Sequence, residues 1–143
     1  MKKKTLLVNY ELDGLYLIGI TCVIKEYKLA WLINRGLGIG LSKQADLRLE
    51  FVKGQDITLS NFLFETEHSK LWLLRNEALG GETPGRQYLV PELAYLDFLV
   101  LINDFGQIHE LEVIKSGLRA IRAIQFLQEI DINQLKSKDN LIF

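Results

Sequence analysis

The chain is short of almost every residue that announces a chemistry. It has one cysteine, Cys22, which excludes an internal disulfide and cannot by itself build a metal site. Its only histidines, His68 and His109, have no second histidine or cysteine at ligand spacing, and Val113 stands where a zinc helix starting at His109-Glu110 would need one. No serine sits in a nucleophile elbow. Basic excess is also missing. Lysine and arginine number 17 against 18 acids, net charge is −1, and the pI is near 6.1. Phosphate contacts carry most nucleic-acid affinity, so nucleic acid is not expected as a partner. The cluster Lys2-Lys3-Lys4 and the pair Lys136 and Lys138 read as solvated ends.

Long apolar runs are absent too. The best, LYLIGITCVI at 15–24, is bounded by Asp13 and Lys25 and is too short to span a bilayer, so no membrane partner is expected. The opening MKKK runs into Asn9, Glu11 and Asp13, which interrupt the apolar stretch a secretory leader needs. A soluble, cytoplasmic protein is the expectation. No cofactor and no metal are implied.

What is present is core. Hydrophobic residues make up 48% of 143, enough for one domain, and no repeat, low-complexity tract or linker divides the chain. KTLLVNYEL at 4–12 alternates as a strand and Asp13-Gly14 breaks it; residues 15–23 read equally as a second extended piece or a lead into a helix. The helix expected at 24–36 places Tyr27, Ala30, Trp31, Ile33 and Leu37 on one apolar arc, with Asn34 inside it and Leu32 stranded among charges. Gly36 is placed to end it. RGLGIG resembles a phosphate loop, but its glycines follow a helix instead of opening one.

A meander follows: ADLRLEFV, a turn at Lys53-Gly54, DITLSNFLFE with a phase slip near Asn61 that predicts a bulge, and SKLWLLRN. His68 falls at the tip of the second hairpin, beside Glu65 and Glu67. EALGGETPGRQ at 77–87 is the one long loop. The last third reads β-α-β: an apolar run from Asp97 to Asn103, helical spacing at Ile108, Leu111, Ile114, Leu118 and Ile121, then alternation at Ile124, Phe126 and Ile130. The expected fold is a single α+β domain over 1–143, with a mostly antiparallel or mixed sheet of about five to seven strands, two main helices and a C-terminal β-α-β unit.

The most distinctive stretch is VPELAYLDF at 90–98. Pro91 suits the first position of a helical turn and Glu92 its dipole, while Asp97 can cap backbone N–H groups where the turn yields to a strand. Read that way it is a bent connector. Read functionally, Glu92 and Asp97 line a site. This stretch resembles the signature of the IPExxxVDY family, small proteins of Bacteroidetes bacteria. Pro91, Glu92 and Asp97 match, and Val90, Leu96 and Phe98 are conservative departures. KEYKLAWLIN at 25–34 and QLKSKDNLIF at 134–143 resemble family segments as well. The resemblance implies no established activity, and Phe98 in place of the family tyrosine points to packing instead of a phenol's chemistry.

Three functions are therefore expected in competition. A non-catalytic interaction or assembly module leads, as a homodimer or bound to another protein, with Trp31 and Asn34 on its contact surface. A small-ligand regulatory module would use residues 77–95 as its rim. An enzyme would have to use the carboxylates of Glu92 and Asp97, although no residue is assigned as catalytic. Cys22 reads as a buried small hydrophobe.

Overall fold

The structure, a computed structural model, describes residues 14–50, 56–80, 85–104 and 110–142. Strands β1 (Leu15–Thr21), β2 (Ser42–Lys43), β5 (Asn61–Glu65), β6 (Ser69–Arg75), β7 (Phe98–Asp104) and β8 (Phe126–Ile130) form one six-stranded sheet in the order β2-β5-β6-β7-β1-β8. Every pairing in it is antiparallel. Strands β3 (Leu47–Leu49) and β4 (Ile57–Leu59) make a separate antiparallel pair. Helices α1 (Glu26–Leu37) and α2 (Leu111–Arg119) complete the α+β domain.

The central strands are apolar on both sides because both sides are covered. Ile18, Ile20, Leu71, Leu73, Phe98, Val100 and Ile102 meet the helices, which contribute Leu29, Ala30, Ile33, Ile114 and Leu118. On the reverse face Leu17, Leu74, Leu99 and Leu101 pack with the connector residues Leu89, Leu93 and Leu96 and the C-terminal residues Ile132, Leu135 and Leu141. Ile57 and Leu59 of the small β pair join this second cluster. Strands β7 and β8 both run antiparallel to β1, which lies between them, so they are parallel to each other and α2 connects them in a split β-α-β.

The ambiguous segment at 15–23 is thus β1, the strand between β7 and β8. Its neighbours account for the ambiguity, since a strand covered on both faces loses its alternation. The helix carries a different buried stripe from the one expected: Leu29, Ala30, Ile33 and Leu37 face the core, while Tyr27 and Trp31 face solvent. Leu32 is partly buried against the core. Gly38, with φ of 66°, ends the helix in the left-handed conformation, not Gly36. Gly36 instead lies where α1 meets α2. A side chain on Gly117 would collide with Leu37, so this glycine lets α2 lie close against α1 in the middle of an otherwise regular periodicity.

The phase slip near Asn61 is where the chain leaves the small β pair and enters the main sheet, with Ser60 between β4 and β5. Of the two sheet types expected, mostly antiparallel or mixed, the first is seen, as no two adjacent strands among the described residues are parallel. The strand expected at 4–12, Phe51, the Lys53-Gly54 turn and Ile108 lie outside the described residues. Among the described residues no helix is long and apolar enough to cross a membrane.

Candidate functional site

The connector enters after a single bridge between Glu77 and Tyr88, which closes the neck of the long loop. Leu89 and Val90 are fully buried, and Pro91–Leu93 form one 3-10 turn with the proline at its start. Asn76, completely buried at the end of β6, holds this segment. Its backbone N–H donates to the Asp97 carbonyl at 3.0 Å, and its own carbonyl accepts from Leu89 at 2.8 Å. Its side-chain Oδ1 accepts from the Val90 N–H at 3.0 Å. Its Nδ2 donates to the carbonyls of Leu93 and Leu96 at 2.8 and 3.0 Å. A bent segment under the sheet cannot satisfy its backbone from a ladder, and one asparagine supplies the missing partners.

Asp97 lies where the turn becomes β7. Its Oδ2 accepts from the Cys22 N–H at 2.9 Å, and its own N–H donates to the Ile20 carbonyl at 2.8 Å. The carboxylate thus closes the end of β1 just before α1. Glu92 has a different partner. Its Oε2 accepts from the Ser137 N–H at 2.9 Å, and Asn140 donates from Nδ2 to the Leu89 carbonyl at 2.8 Å, so the C-terminal turns dock on the connector. Partial desolvation pushes the Glu92 carboxyl up. Hydrogen bonds from its own backbone, the Ser137 hydroxyl and N–H, and the Lys136 N–H outweigh this and hold it below the ordinary glutamate value.

Of the four residues singled out from the sequence, three therefore have internal duties, and Glu92 and Asp97 do not share a site. Asn34 is the third. Its Oδ1 accepts from the Leu41 N–H at 2.7 Å and its Nδ2 donates to the Leu41 carbonyl at 3.1 Å, bridging the end of α1 to the following chain. The fourth, Trp31, is 54% exposed, and the Arg35 guanidinium stacks over its ring at 5.2 Å. Tyr27 one turn earlier is 64% exposed and Val23, just before the helix, 84%. Steps of four residues within α1 bring Tyr27, Trp31 and Arg35 along one outward line, and exposed Val23 precedes the helix.

Val23 and Tyr27 also line a groove of about 680 Å³ at the end of β1, β6 and β7, together with Cys22, Arg75, Arg86, Asp97 and Gln125 among others. Arg86 lies 3.7 Å from the Glu77 carboxylate across the groove's outer edge. Arg75 has no side-chain partner among the described residues, which leaves one guanidinium available to an anion. Burial pushes the Cys22 thiol up. A backbone hydrogen bond involving Ile24 opposes this and the Asp97 charge adds to it, so the thiol resists forming the nucleophilic thiolate. Among the described residues no group of three or more His, Cys, Asp or Glu side chains converges as a metal site.

Sequence reasoning passed over Asn76 and Arg75. Asparagine ending a strand before a long loop is the signal for the first, since such a position demands side-chain partners for backbone that leaves the ladder. Arg75 had no sequence signal, because its place at the groove depends on strand order. Comparison of the chain with protein-family models and with curated proteins gave no match.

Proposed function

We propose that this chain is a non-catalytic interaction module that meets a protein partner through the Tyr27–Trp31–Arg35 face of α1. The observation that carries the reading is the exposure of Tyr27 and Trp31, at 64% and 54%, on a helix whose opposite side is packed into the core. Tyrosine, tryptophan and arginine are the residues that dominate binding energy at protein interfaces, and here they are adjacent and pre-ordered by the helix. The resemblance to the IPExxxVDY family fits inside this reading as a folding signature. Pro91 starts the turn, Glu92 docks the C-terminal segment and Asp97 closes β1, so the three matching positions hold the scaffold that presents the helix. A cytoplasmic location belongs to the same reading and rests on the lone buried thiol.

The test is affinity capture from the source cells with the native protein and with a Tyr27→Ala/Trp31→Ala variant of equal melting temperature. Stoichiometric capture of a protein by the first and its loss with the second is the expected result. An identical captured set would sink the reading.

A second reading is favoured by the groove. Its polar lining around Arg75, which has no side-chain partner among the described residues, suits a small molecule carrying a carboxylate or phosphate, which would make the chain a ligand-binding regulatory module. A rise in melting temperature with such a metabolite, abolished by Arg75→Ala, would select this reading.

A further inference from the structure

The six-stranded sheet ends differently at its two edges. At one edge β2 is only Ser42–Lys43, short, exposed and charged, the form in which natural sheets discourage pairing. At the other edge β8 runs Phe126–Ile130 and, among the described residues, pairs on one side only, with β1. Its single charged residue, Glu129, is held by Lys115 of α2 at 2.8 Å, so it does not stand out from the edge as an unpaired guard. Phe126 at the start of β8 is 48% exposed, on a strand whose other end, Ile130, is buried.

We propose that β8 is the dimerisation strand, and that two copies of the chain join β8 to β8 in antiparallel fashion into one continuous twelve-stranded sheet, twice the six of one copy. A two-fold axis at Gln128 makes the pairing self-complementary. Phe126 of each copy then lies opposite Ile130 of the other, an aromatic–branched pair of the kind that stabilises antiparallel strands. Leu127 lies opposite Glu129. The flanks are complementary in charge: exposed Arg119 and Arg122 precede the strand, exposed Asp131 follows it, and antiparallel pairing turns each basic flank toward the other copy's Asp131. Gln128 is already oriented, because its Oε1 accepts from the Tyr95 hydroxyl at 2.8 Å. A two-fold axis makes the contact isologous, so each copy offers the other the same edge.

Sedimentation velocity across micromolar concentrations tests this. The native protein is expected at twice the 16.4 kDa chain mass. Gln128→Lys sets like charges directly opposite each other at the axis and should halve the mass, with helix and strand content unchanged by circular dichroism. Gln128→Glu should behave in the same way, and mixing the two variants should restore the dimeric mass. A monomeric native protein at all concentrations overturns the proposal, whether or not another chain uses the edge. So does a Gln128→Lys variant that folds and remains dimeric. Loss of the partner captured through Tyr27 and Trp31 leaves this result untouched, because the two surfaces are tested by different variants.

Discussion

Leu96 of the connector occupies the space that a side chain on Gly19 of β1 would fill. The contact joins the most distinctive stretch of the sequence to one of the sheet's central strands. A glycine in a central strand weakens it and commonly marks a close approach, and here the approaching group is a fully buried leucine. Leu96 enters this notch, the Asp97 N–H bonds the Ile20 carbonyl, and β7 begins beside β1. The connector and the strand it delivers are thereby fixed together.

Gly19→Ala should therefore destabilise the protein although alanine is the better strand residue. The new methyl meets Leu96, and Ile130 closes the same space at 3.1 Å, so the displaced leucine has nowhere empty to go. The expected cost is about 1–3 kcal/mol, read as a lower denaturant midpoint at unchanged slope. Leu96→Ala alone should cost about 2–5 kcal/mol. The double variant should lose less than the sum, because each change relieves the other. Additive losses would show that the two residues do not share the space.

Asn76→Ala should be among the most damaging polar substitutions in the chain. It strands the Val90 N–H and the carbonyls of Leu93 and Leu96 in a buried setting, at about 1–3 kcal/mol for each group left unpaired. Asn76→Asp is the sharper probe. It keeps an acceptor for Val90 but points an oxygen at two carbonyls and buries a charge. It should be as unstable as the alanine variant at neutral pH and regain stability in mild acid, where a protonated carboxyl can donate again. Equal stability of both variants at all pH values would remove the donor role of Nδ2.

Much of this architecture was legible before any coordinates, and what was not has a common cause. Spacing located α2 through Ile114 and Leu118, and the apolar run at Phe98–Ile102 located a strand covered on both faces. The helix at α1 was legible in extent but not in orientation. Leu29, Ala30, Ile33 and Leu37 make as good a stripe as the one containing Tyr27 and Trp31, and only the packed partner decides between them. Residues 15–23 were ambiguous for the same reason, since burial on both sides erases the period that separates strand from helix. At the connector, Pro91 and the two acids reveal a bend, but not that Glu92 and Asp97 bind different segments of the chain. That depends on where Ser137 and Cys22 arrive, a matter of topology.

Glu92 carries a pH prediction. Its folded carboxyl sits below the ordinary glutamate value, so ionised Glu92 favours the folded state. That contribution is complete above the ordinary value of about 4.3 and fades as pH falls through the lower folded value. Glu92 is exposed to solvent, and screening holds the contribution to about 1 kcal/mol or less. Glu92→Gln should lower the melting temperature slightly at pH 7, with the difference from the native protein shrinking toward zero in acid. A constant difference across this range would mean that the amide loses something other than the charge. Glu92→Ala should cost more than Glu92→Gln at any pH, because it leaves the Ser137 N–H without its acceptor.

Cys22 gives the last prediction and separates the binding readings from a thiol chemistry. Its side chain is buried, burial pushes its thiol above the ordinary value, and the adjacent Asp97 carboxylate adds to the shift by disfavouring a second negative charge. Alkylation of the native protein should therefore be slow at neutral pH, with a rate that still climbs at pH values where an unfolded cysteine has already levelled off. Asp97→Asn tests the geometry. It removes the charge that opposes the thiolate while its side-chain oxygen can still accept from the Cys22 N–H, so the alkylation profile should move to lower pH with the fold preserved. Asp97→Ala deprives that N–H of its partner as well and should add a loss of about 1–3 kcal/mol in stability. A native thiol that reacts as fast as an unfolded one at pH 7 would contradict both its burial and the inert role given to it, and would return the groove to consideration as a reactive site.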